Sequence, residues 1–140
     1  PARGDLLVAA HMAGMVLASA RSGLHHALCH VLGARCGVAH GAVNAVMLPH
    51  ALRYNLPAAR GPLAALAAAW SAGDAPEAAI EQVAALQAEL GVPRRLRDLG
   101  IAREQLPGVA ARTLGERGLA CNPRRVGGAA ELETLLDAAW

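Results

Sequence analysis

Apolar residues along the chain fall into blocks cut by Gly, Pro or short polar breaks. Inside most blocks they recur at spacings of three and four, the helical period. Residues 5–20 form an almost unbroken apolar run, which predicts a helix buried on all sides. Ala13, Gly14 and Ala18 offer it small surfaces for close packing. Ser22-Gly23 ends the run, and Ser22 is the expected cap of a second helix over 24–34. After a break at Gly37, a third helix starts near His40 and runs toward Tyr54, with a kink or break at Pro49. Residues 63–70 predict another helix. Asp74 is the expected cap of the next, with Pro76 and Glu77 in its first turn. Ile80, Val83, Ala84, Leu86, Gln87 and Leu90 are its expected inward face, and Gly91 stops it. Residues 94–99 read as a short turn and 103–117 as one broken or two short helices. Asn122-Pro123-Arg124 lies in a loop over 118–128. A last helix over 130–139 points Leu132, Leu135 and Leu136 inward. No stretch alternates as a strand would, and no repeat is present. The pattern predicts an all-α helical bundle in one domain, 1–140, with short connections between antiparallel neighbours.

Composition narrows the classes further. The 140 residues (14.3 kDa) are 54% hydrophobic, 17% charged and 2% aromatic, without Phe, and all thirteen basic side chains are Arg. A disordered chain is poorer in apolar residues, and no collagen period exists. The net charge of +2 and pI near 8.8 are mild. Arg94, Arg95 and Arg97, and Arg124 with Arg125, cluster without interleaved aromatics, so no nucleic-acid partner is expected. The first apolar run is shorter than eighteen uninterrupted apolar residues and contains His11 and Gly14, so no membrane span is expected. Cys29, Cys36 and Cys121 are odd in number and form no CxxC, which suits reduced thiols and a cytoplasmic protein.

The histidines carry the chemistry. All six lie in the first fifty residues. His26 and His30 are four apart, on one face of the second helix. That spacing chelates a metal ion or sets a ligand beside a proton donor; it also arises as simple packing. His40 follows the loop and can swing back toward the same face. His25 lies about 100° around the helix from His26, off that face. His11 and His50 read as packing residues, as does Cys29. Two or three imidazoles are an incomplete metal set, and the nearest acid in sequence is Asp5.

Gly23-Leu24-His25-His26-Ala27-Leu28-Cys29-His30-Val31-Leu32-Gly33, then Ala39-His40-Gly41, Asn44-Ala45, Leu48-Pro49 and Arg53-Tyr54-Asn55, resemble the iron-containing alcohol dehydrogenase family. The first stretch looks like its maleylacetate reductase branch, the second like its general alcohol dehydrogenases. Asn122-Pro123-Arg124 is similar to the motif preceding the family's last helix. The resemblance implies that His26 and His40 are metal ligands, for Fe²⁺ or Zn²⁺. His30 would lie by the nicotinamide of NAD(P)H and the substrate as a catalytic residue. His25 matches the extra histidine of the maleylacetate reductase signature and is a second catalytic candidate.

The family's Gly-rich nucleotide loop has no counterpart here, nor does its upstream Asp and His metal pair. The chain thus resembles roughly the last third of a family protein, truncated at the N-terminus and missing the nucleotide-binding domain. That missing domain is its expected partner, and the complete protein would take a small-molecule substrate. The isolated chain is expected to be inactive. Two other readings stand beside this one: a non-catalytic remnant or interaction module, and a small metal-binding protein in which a homodimer pools two histidine sets.

Overall fold

The computed structural model describes residues 2–140, among which there is no strand. Seven α-helices follow in order: α1 Ala2–Ala20, α2 Leu24–Cys36, α3 His40–Asn55, α4 Arg60–Ala69, α5 Pro76–Glu89, α6 Leu106–Thr113 and α7 Ala129–Ala139. Short 3-10 turns fill Leu56–Ala58, Leu96–Leu99, Arg103–Gln105 and Arg117–Cys121. The all-α expectation holds.

The main core is built by α2, α3, α6 and α7. Leu24, Leu28, Leu32, Val43, Val46, Met47, Leu96, Val109, Leu132 and Leu136 are each fully shielded from water. Leu132, Leu135 and Leu136 face inward as the sequence predicts. The α4–α5 hairpin forms a smaller cluster of Leu63, Ala67 and Ala79, closed by Leu52 and Leu56. Gly37 ends α2 in the left-handed region (φ 66°), its N–H donating to Gly33 O at 3.1 Å. This sharp stop lets α3 turn back against α2.

The first helix departs from expectation. None of its residues is buried, and Leu6, Leu7 and Val16 are 69%, 73% and 64% exposed. It leaves α2 at a bend of 101° around Arg21, whose φ is 65°. Hydrophobicity marks a need for cover, not its source, and the other described residues bury none of this helix. No single helix among the described residues is long and apolar enough to cross a membrane; α1 and α2 pass that test only as this bent pair.

Two expected caps are also displaced. Gly23 and Ala75 occupy the cap positions of α2 and α5 without side-chain bonds, in place of Ser22 and Asp74. The α2 N-terminus is instead capped from a distance, by the Leu24 N–H donating to Asn122 Oδ1 at 3.0 Å. On α5 the inward face is Pro76, Ala79, Ile80, Val83 and Gln87; Leu86 and Leu90 point to solvent. The periodicity is helical either way, and the side facing α3 and α4 is chosen by packing.

Pro49 does not break α3, which runs through it. Proline has no N–H, so the carbonyl four residues earlier, Ala45 O, loses its helical donor. The nearly buried Gln87 of α5 fills the gap by donating from Nε2 to Ala45 O. A polar side chain on an inward face is thus explained by a proline on a neighbouring helix.

Candidate metal and proton-transfer site

The αα-hairpin of α2 and α3 sets the site. His26 and His30 sit one turn apart on α2, and His40 opens α3 directly across the Gly37 turn. Their ring centroids form a near-equilateral triangle, with sides of 5.9 Å (His26–His30), 6.1 Å (His26–His40) and 5.8 Å (His30–His40). The swing of His40 toward the α2 pair is therefore present. Three imidazoles on one ion at about 2.1 Å per nitrogen would have centroids about 5 Å apart, so the triangle is slightly wide. Among the described residues, no group of three His, Cys, Asp or Glu side chains stands ready to hold a metal. The donor type nevertheless fits. Burial first, and then the crowding of the His30 and His40 rings, pushes the His26 pKa down and favours the neutral imidazole a metal requires.

His25 takes another direction. Its Nε2 lies 3.0 Å from Asn44 O, to which it donates, in the interface of α2 and α3. Its ring meets His26 edge-on at 5.4 Å. Burial also lowers its pKa. Cys29 is fully buried, and burial pushes its thiol up to about 12, which makes it a packing residue.

Sequence reasoning missed the surroundings of His30. That imidazole is half-exposed, and its Nδ1 lies 3.8 Å from Glu116 Oε2 in the loop after α6. Beside it is a cleft of about 250 Å³ lined by His30, Ala34, Arg35, Arg112 and Glu116. Neither arginine forms an ion pair among the described residues. No local motif marks Arg112 or Glu116, because α6 reaches α2 only through the tertiary fold. His26 faces a second cleft of about 520 Å³, under Ala13, Val16, Leu17 and Ala20 of α1.

Residues 1–140 match the family model described as Fe-containing alcohol dehydrogenase family, C-terminal. The chain is 38% identical over 131 residues to 1,3-propanediol dehydrogenase of Citrobacter freundii, covering 89% of itself and 34% of that protein. It is 39% identical over 135 residues to maleylacetate reductase 1 of Cupriavidus pinatubonensis, covering 96% of itself and 36% of that protein. Among solved structures it superposes on an alcohol dehydrogenase from Oenococcus oeni with a TM-score of 0.82 at 30% identity, over 91% of this chain and 35% of that one. The chain thus spans about a third of the length of these relatives.

Proposed function

The chain belongs to the Fe-containing alcohol dehydrogenase family, as its C-terminal helical part, and on that premise we propose that it supplies part of the metal site and the proton-transfer group of an NAD(P)-dependent oxidoreductase. The observation that carries this reading is the triangle of His26, His30 and His40. His26 and His40 would hold Fe²⁺ or Zn²⁺, the remaining ligands coming from the part of the relatives that lies outside the matched third. Bound metal supplies Lewis acidity to a substrate oxygen, and NAD(P)H supplies the hydride.

This chain's own residues do the rest. His30 reaches solvent and the neighbouring cleft, where its imidazole passes a proton to the product. Glu116 stands 3.8 Å from His30 Nδ1, within ion-pair range of the ring. His25, fixed by Asn44 O, buttresses His26 edge-on and is the second contact for substrate or proton. Arg35 and Arg112 beside His30 favour a carboxylate-bearing substrate of the maleylacetate class over a simple alcohol, since guanidinium groups pair with carboxylates in fixed geometry. The bare apolar face of α1 speaks against a solitary interaction module, which would have become polar there.

Titration of Co²⁺ into the 140-residue chain, followed through histidine NMR signals, tests the ligand assignment. Weak binding is expected that perturbs His26 and His40, with His26→Ala and His40→Ala each weakening it about tenfold. A titration that leaves both rings unperturbed overturns the assignment.

A further inference from the structure

Two clefts meet on the face of the domain formed by the end of α3, the segment after α5, and α7. One, of about 430 Å³, is lined by Tyr54, Thr134, Leu135 and Ala138 together with Arg53 and the Arg124–Glu131 pair. The other, of about 660 Å³, is walled by Arg94, Arg95 and Arg97 with Pro93. His50 and Ala138 line both, so the two are one groove with an apolar end and a basic end. Each volume is in the range of small-molecule sites.

The charges in the groove are unevenly spent. Arg124 is committed: its guanidinium donates to Glu131 Oε1 and to Tyr54 O at 3.1 Å, and lies 4.2 Å over the Tyr54 ring. Asp98 uses Oδ2 to accept the Arg95 backbone N–H at 3.2 Å. Arg53, Arg94, Arg95 and Arg97 form no ion pair among the described residues. Arg97 also lies 5.6 Å over the Trp140 ring. With Arg124 spent on Glu131, the basic end still sets Arg94, Arg95 and Arg97 against the single carboxylate of Asp98.

We propose that this groove binds a small anionic ligand with an apolar body, its phosphate or carboxylate held by Arg94, Arg95 and Arg97 and its body laid along Leu135 and Ala138. Arginine forks suit both anions, because two parallel N–H donors match two oxygens. A free inorganic anion leaves the apolar half of the groove unused, whereas an aryl or alkyl body removes that surface from water. The site is separate from the histidine triangle and does not depend on its assignment.

Phenyl phosphate and benzoate, each against its body-free counterpart (inorganic phosphate, acetate), are titrated into the chain by calorimetry at matched ionic strength. At least one aryl anion is expected to bind about tenfold more tightly than its counterpart. The tighter of the two identifies the anion. The exposed Ala138→Glu variant and the Arg94→Ala/Arg95→Ala double variant are expected to lose that binding while keeping native helicity and Tm. Equal affinity of each aryl anion and its counterpart overturns the proposal, as does unchanged binding in both folded variants.

Discussion

Asn122 and Asn55 exchange a reciprocal pair of side-chain hydrogen bonds: Asn122 Nδ2 donates to Asn55 Oδ1 at 2.7 Å, and Asn55 Nδ2 donates to Asn122 Oδ1 at 3.1 Å. The second Asn122 donor goes to Arg124 O at 2.6 Å, and its oxygen also accepts the Leu24 N–H. Every bonding direction of that amide is used. One side chain thereby joins the start of α2, the end of α3 and the loop before α7. Asn122→Ala leaves several half-buried groups without partners. It is expected to cost about 2–4 kcal/mol, read as a lowered urea midpoint at unchanged m-value.

Gly23 is part of the same clasp. A Cβ added there would lie 2.9 Å from Asn122 Oδ1. Gly23→Ala must displace that oxygen and is expected to cost about 1–3 kcal/mol. In the Asn122→Ala background the same substitution is expected to be nearly neutral, and a double-mutant cycle by urea unfolding checks this.

Gln87→Leu keeps the size of the side chain but orphans Ala45 O. The expected loss is about 1–3 kcal/mol. Adding Pro49→Ala, which restores a helical donor to that carbonyl, is expected to recover most of it. Thermal unfolding of the single and double variants reads the coupling directly.

Glu131 accepts the Gly127 N–H at 2.7 Å and pairs with Arg124, and these contacts hold its carboxyl below the usual range, the backbone bond first. A depressed carboxylate pKa contributes stability above the unfolded value, about 4.3 for Glu, that is lost as pH falls below it. Wild type is therefore expected to lose more stability than Glu131→Gln between neutral pH and about pH 3. Urea midpoints of both proteins across that range measure the difference.

The bare face of α1 predicts a local property. Its amides from Val8 to Leu17 are expected to exchange with solvent about a hundredfold faster than those of Leu28 to Leu32, since few tertiary contacts oppose opening. Hydrogen-exchange mass spectrometry of the 140-residue chain checks it.

The helices were legible because glycines and prolines punctuate the chain at their ends: Gly37, Gly91 and Gly100 all adopt positive φ at a stop. The His26, His30 and His40 cluster was legible because α2 and α3 are sequence neighbours. What was hidden depends on distant partners. Ser22 and Asp74 looked like caps, yet the α2 N-terminus is served by Asn122 from 98 residues away. Gln87 looked apolar-faced by register alone, and its reason sits 42 residues back at Ala45. Leu86 and Leu90 share the periodicity of buried neighbours but fall on the far side of the packed face. The exposure of α1 and the approach of Glu116 to His30 carry no local signature at all.

The turn at Gly37 has a kinetic consequence. His26 and His40 are separated by only fourteen positions, and one tight loop brings their helices together. Closing so short a loop costs little entropy, whereas the Asn55–Asn122 clasp must close 67 residues. The α2–α3 hairpin, with its three rings, is therefore expected to form earlier than the Asn55–Asn122 clasp. Pulsed hydrogen exchange during refolding tests this order of events: the amides of α2 and α3 are expected to gain protection before those of α7.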